Sequence, residues 1–317
     1  MKIRKIVLIT ADVILLAVCI IQGILKAKDG AKYFELKQSP DEFTIVTPSE
    51  TLHLVLEDEN WYIGDKKYPA NNNSVQDLED AISYIRALDK VSSVNENSII
   101  KYDLVDGKKI SVSASKEGKV LRSIEIGKEA TANSHVYITV DGGKDIFVAS
   151  GTLRSIFDKS TEVLRSQKVW NYEQSKVSSA AITFADGKKW SVARNGSGED
   201  VSWSINGDDT QDIELDSEKV AQMLNNFAFV NAVSWYDDMA NVQDLGGEFL
   251  LSAKIGCGDK DVAIEIYEIK PTATESENEM ESFESVYYAT SSETPYIFRI
   301  SSNTVDKFNK KPQDIAK

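Results

Sequence analysis

The sequence predicts an α+β chain: an N-terminal transmembrane helix, then two tandem copies of one module of mainly antiparallel strands with one long helix and a short closing helix. Three observations predict it. Residues 6–25 are almost unbroken in their apolarity, the remainder resembles itself at an offset near 142, and each copy surrounds one helix-spaced apolar stretch with alternating ones. A chain of 317 residues also suits two domains of roughly 100–150 residues better than one. The expected boundaries are 1–32 for a cytoplasmic tip and anchor, 33–170 for the first repeat and 171–317 for the second.

The anchor comes first. Thirteen residues of the run 6–25 are Ile, Leu or Val, each contributing about −0.3 to −0.6 kcal/mol to insertion. Asp12 costs at most about 2.5–3.5 kcal/mol, and less away from the helix centre. Lys2, Arg4 and Lys5 precede the run, so the positive-inside rule puts a short N-terminus in the cytoplasm and the body outside it. The bilayer is then one partner, and Asp12 is a candidate contact to the membrane helix of an integral-membrane partner. Leu16-Ala17-Val18-Cys19 is similar to a lipoprotein box, with Val18 where a small residue is usual. Cleavage, and lipidation at Cys19, stay open at this stage.

The repeat is read by self-comparison. Trp61-Tyr62-Ile63 matches Trp203-Ser204-Ile205 at an offset of 142. At the same offset Leu78, Ile82, Ile85, Leu88 and Val91 fall on Val220, Leu224, Phe227, Val230 and Val233, the spacing of one buried helix face. Ser74 and Asp216 stand as N-caps of these helices. Asp103-Leu104 meets Asp244-Leu245 at 141, and Ile124-Glu125-Ile126 meets Ile264-Glu265-Ile266 at 140. The offset then jumps to 150 at Val136-Tyr137 and Val286-Tyr287, past a polar, acidic insertion at residues 271–282. Ser150 and Phe157 meet Ser301 and Phe308 at 151. In the first copy, strands are expected at 51–56, 61–62, 109–114, 121–126, 135–140 and 146–149. A turn is expected at 141–144 and a closing helix at 151–163.

Composition excludes several functions. The net charge is −14, and Lys2, Arg4, Lys5, Lys26, Lys28 and Lys32 all lie in the first 32 residues, so the body is more acidic still. Such a body repels phosphate backbones, and no nucleic-acid partner is expected. With Cys19 in the apolar run, Cys257 has no intrachain partner, which excludes a disulfide framework and Cys-based zinc. The two histidines, His53 and His135, sit in strand-like segments without metal-ligand spacing. No Gly-x-Ser-x-Gly elbow or phosphate-cradling loop occurs. The oxygen-rich loop 206–212 misses the calcium-loop spacing. No catalytic residue, cofactor or metal is therefore assigned, and the ligand is unknown. Trp61 and Trp203 are expected to be repeated core residues. Trp170, Tyr172, Trp235 and Tyr236 are candidates for lining a cleft between the repeats.

Several of these features together resemble the bacterial domain-of-unknown-function family 4340. They are the Trp strand before the first helix, Lys101-Tyr102-Asp103-Leu104, Ile124-Glu125-Ile126-Gly127, Val136-Tyr137, the aliphatic strand 146–148 and the stretch 164–169. Asp103-Leu104 stands where the family has Gly-Leu, and the Pro that often follows is absent. The resemblance implies a membrane-anchored protein associated with ABC-type transport systems, and brings no catalytic residues with it. The expected function is a non-enzymatic, extracytoplasmic accessory or assembly subunit of such a membrane complex. An envelope- or ligand-binding module using the inter-repeat cleft is the alternative, and an enzyme with an unrecognised site comes third.

Overall fold

Alternation of buried and exposed residues, the signature of a strand with one wet face, governs far more of this chain than helical spacing does. The computed structural model describes residues 15–18, 31–130, 135–196, 201–237, 241–270 and 285–317. It divides into two units, Met1–Ser166 and Gln167–Lys317.

The first unit runs β1 (Lys32–Glu35), β2 (Glu42–Val46), β3 (Thr51–Glu57), β4 (Asn60–Ile63), β5 (Tyr68–Pro69), α1 (Asn72–Ser83), β6 (Tyr84–Ser93), α2 (Glu96–Lys101), β7 (Ile110–Lys116), β8 (Lys119–Glu129), β9 (His135–Val140), β10 (Asp145–Ser150), α3 (Leu153–Phe157) and α4 (Thr161–Leu164). Its ten strands form one antiparallel sheet in the order β1-β6-β10-β9-β8-β7-β2-β3-β4-β5. The second unit runs β11 (Lys168–Asn171), β12 (Val177–Phe184), β13 (Lys189–Asn195), β14 (Ser202–Gly207), α5 (Ser217–Asn226), β15 (Phe229–Asn231), β16 (Ser234–Tyr236), β17 (Glu248–Cys257), β18 (Lys260–Ile269), β19 (Val286–Ser291), β20 (Thr294–Ile300) and α6 (Ser302–Phe308). A 3-10 turn at Pro312–Ile315 follows. Its main sheet has the order β14-β13-β12-β17-β18-β19-β20-β16, and β11 pairs with β15 apart from it. Read in reverse, that order matches β6-β10-β9-β8-β7-β2-β3-β4 strand for strand.

The repeat extends to single hydrogen bonds. Asn71 caps α1 by accepting from the amides of Asn73 and Ser74, and Asp216 caps α5 from those of Glu218 and Lys219. The Asn71 amide donates to the Leu164 carbonyl, and the Asp216 amide to that of Ile315. Each closing turn is thereby tied to the start of its unit's main helix. The caps are 145 residues apart rather than the 142 expected from Ser74. A slip of three residues in a pattern of period 3.6 leaves the apolar face almost in place, so periodicity alone conceals it.

The α+β expectation with one long helix per module is corrected: the chain is mostly antiparallel β. The stretch 78–91 was expected to be helical throughout, but α1 ends at Ser83 and β6 takes over at Tyr84. Val75, Leu78 and Ile82 are the buried helical residues. Beyond them Ile85 and Ala87 are buried by strand alternation, and Val91 is exposed. In the second unit α5 ends at Asn226, Ala228, Val230 and Ala232 alternate inward, and Val233 is half exposed. Residues three apart point to opposite faces of a strand, so Leu88 does not join Ile85 and Ala87 among the buried residues of β6. The closing helix expected at 151–163 is two short pieces, α3 and α4.

The single-pass membrane placement, with its cytoplasmic N-terminus and extracytoplasmic body, is also corrected. Among the described residues no helix is long and apolar enough to cross a membrane. Apart from residues 15–18, the run 6–25, including Asp12 and Cys19, lies outside the described residues, as does the acidic insertion 271–282.

Candidate binding groove

One face of the first sheet is the core. Phe43, Ile45, Leu52, Leu54, Ile110, Val112, Ala114, Ile124, Ile126 and Ile138 are all nearly or fully buried on it. The residues between them point to the opposite face, where short hydroxylated side chains predominate. Strand register aligns them in two rows. Across β3, β2, β7 and β8 lie His53, Thr44, Ser113 and Ser123. Across β3, β2, β7, β8 and β9 lie Thr51, Val46, Ser111, Glu125 and Thr139. From β2 to β9 these rows floor a groove of about 380 Å³, walled at one end by Val94 and by Gly142 and Gly143 of the β9–β10 turn.

Glu125, the one charged residue lining this groove, is paired. Lys109 Nζ lies 2.6 Å from Glu125 Oε1 and 3.0 Å from Asp106 Oδ1. Thr139 Oγ1 donates to Glu125 Oε2 at 3.2 Å. Burial acts to lower the affinity of the Lys109 ammonium for its proton, but the bonds to Glu125 and Asp106 outweigh it and raise its pKa. Asp141 adopts a left-handed backbone at the wall and accepts the Ser123 amide at 2.9 Å. Beside the groove, His53 Nδ1 is 3.4 Å from Thr44 Oγ1, and Nε2 is 3.6 Å from Glu42 Oε1. Both distances exceed the 2.6–3.2 Å or so of a nucleophile and its base. The amides of these central strands are committed to the sheet ladders, so no pair of them converges as an oxyanion site.

The same unit covers the other end of this face with its own segment. Tyr102 and Leu104, after α2, pack with Ile146 and, at their edge, with Ile99 and Tyr137. In the second unit Val242, Tyr267, Tyr288 and Ile297 form the equivalent cluster, flanked by Tyr236 and Leu245. Gly127 permits the close approach in the first unit: a Cβ there would lie 2.1 Å from the Tyr102 carbonyl oxygen.

The four aromatic residues expected in an inter-repeat cleft all sit within the second unit. Trp170 is a core residue whose Nε1 donates to the Phe227 carbonyl at 2.9 Å. The Tyr172 hydroxyl donates to the Glu293 carboxylate, which also receives Lys260 Nζ at 2.9 Å, while that ammonium lies 4.9 Å from the Tyr172 ring centroid. Trp235 packs on Tyr296 and Phe298. Tyr236 meets Tyr288 ring to ring at 5.1 Å. Burial, followed by the bond to Tyr236, pushes the Tyr288 hydroxyl up to about 12. Trp61 is buried against Phe43, and Trp203 packs at the edge of the second core. Cys257 ends β17 and is buried, and burial raises its thiol pKa. The groove was missed because its signal, Ser111-x-Ser113-x-Ser115 within a strand, reads as an ordinary wet face until the neighbouring strands are known.

A family model described as Domain of unknown function (DUF4340) matches residues 61–246. The match begins in β4 of the first unit and ends after the 3-10 turn Val242–Leu245 of the second. No curated protein and no solved structure matches the chain.

Proposed function

The chain belongs to the DUF4340 family, and from that premise we propose that it is a non-enzymatic accessory or assembly subunit of an ABC-type transport system. The choice of complex rests on the association that the family resemblance implies. The choice of a binding role rests on one observation, the two hydroxyl rows flooring the groove of the first unit. Such a floor offers hydroxyl donors and acceptors, its one carboxylate, Glu125, is paired with Lys109, and the exposed Val46 and Val94 add apolar surface. That chemistry suits the polar, uncharged surface of a partner polypeptide. The spent sheet amides and the long His53 contacts support binding over bond-breaking.

The test is affinity purification of the tagged full chain from its own cells, in mild detergent that preserves transport complexes. Transport-system subunits recovered in near-equal amounts are the expected outcome. Recovery of the chain alone, while control complexes survive, contradicts the proposal.

A further inference from the structure

The internal repeat supplies a comparison that exposes a second site. In the first unit the β2–β3 turn is latched to the closing helix: the Glu50 carboxylate accepts from the Thr161 hydroxyl at 2.8 Å and from its amide at 3.3 Å. Register places Lys188 and Lys189 where the first unit has Glu50 and Thr51, because Val46 pairs with Thr51 and Thr183 with Lys189. The matching bonds from Asn71 to Leu164 and from Asp216 to Ile315 place Pro312 where Thr161 stands. Proline has neither the amide hydrogen nor the hydroxyl, and Lys188 turns instead to Asp209 at 2.6 Å. The latch is absent, and a pocket of about 300 Å³ occupies its place.

Its lining has two chemistries. Phe184, Trp190, Leu250 and Pro312 form an apolar floor, with Trp190 and Pro312 buried and the other two half-buried. The fold itself does not demand them. Strand register puts Thr47 and Lys109 of the first unit where the second has Phe184 and Leu250. Around the rim stand three lysines and three aspartates, and they are not equally occupied. Asp209 takes Lys188, Asp186 accepts the Lys188 amide at 3.0 Å, and Asp208 accepts the Lys189 amide at 2.9 Å. Among the described residues the ammonium groups of Lys189 and Lys311 have no ion pair.

We propose that this pocket binds a small amphipathic carboxylate, its aromatic or alkyl body on Phe184, Trp190 and Leu250 and its carboxylate between Lys189 and Lys311. The volume suits a ligand of about a dozen heavy atoms, for which a Kd on the order of a millimolar or tighter is reasonable. The site is separate from the groove of the first unit.

The experiment is titration of the full chain with 4-phenylbutyrate, followed by calorimetry or ligand-observed NMR, alongside 4-phenylbutanol and 4-phenylbutylamine. The carboxylate should bind at least fivefold more tightly than the alcohol, and the amine least. The double variant Lys189→Ser, Lys311→Ser changes only exposed side chains and should erase that preference. The double variant Lys188→Glu, Pro312→Thr restores the first unit's latch and should lose binding while its circular dichroism is unchanged. Equal binding of carboxylate and alcohol, absence of saturable binding, or an unaltered preference in the Lys189→Ser, Lys311→Ser protein overturns the proposal.

Discussion

Gly127 and Glu293 illustrate how individual side chains, or their absence, set local energies. The Tyr102 carbonyl that a Cβ on Gly127 would strike also accepts the Lys128 amide at 3.0 Å, so it cannot retreat without loss of that bond. Gly127→Ala is expected to destabilise the first unit by about 1–3 kcal/mol, the usual range for overpacking. The check is the urea midpoint, and an unshifted midpoint would mean that the Tyr102 segment yields freely. Glu293 behaves differently. Burial acts to raise its pKa, but the bonds from Tyr172 and Lys260 outweigh it and hold the carboxyl below the ordinary carboxylate range. A depressed folded value means that stability is fully present above the unfolded pKa, then falls as pH drops through the folded one. Thermal melts between neutral pH and the low end of carboxylate titration should show this slope, and Glu293→Gln should flatten it.

At the scale of elements, strand alternation and one of the two main-helix caps were the legible features, the cap of α1 being Asn71 and not Ser74. The strands β3, β4, β7, β8, β9 and β10 lie where alternating residues and turn chemistry place them, and Asp216 caps α5. Helix ends were not legible. Ile82, Ile85 and Leu88 fit a helix face, yet Tyr84–Ser93 pairs with β10 and β1, partners remote in sequence that local spacing cannot register. The observed boundary sorts two substitutions that a continuous helix would treat alike. Ile85→Ala should cost about 2–5 kcal/mol because the residue is buried, and Val91→Ala should cost less than about 0.5 kcal/mol because it is exposed. Denaturant unfolding of both variants measures this, and comparable losses would favour the continuous helix. Replacing either main-helix cap, Asn71→Ala or Asp216→Ala, should cost about 1 kcal/mol in its own unit. The candidate groove was invisible for the same reason as the helix ends: its rows assemble across strands from residues 44 to 139 and correspond to no contiguous motif.

At the scale of the whole molecule, the duplication is what the sequence displayed most clearly, through offsets that drift from 142 to 140 and then jump to 150. The two sheets carry it in strand order, in the caps of α1 and α5 and in the tie between each closing turn and its helix. The copies then differ where function is assigned. The first has the hydroxyl groove and the Glu50–Thr161 latch, and the second has the open pocket beside Lys189 and Lys311. The central claim is that the groove engages a subunit of a transport complex. Its most direct test is photo-crosslinking in the native cells, with a crosslinking amino acid at Ser113 and, as control, at the exposed Val163 of the same unit. A transport-system subunit captured from Ser113 and not from Val163 is the result the account predicts. Capture of no such subunit from Ser113, or its equal capture from Val163, would contradict it.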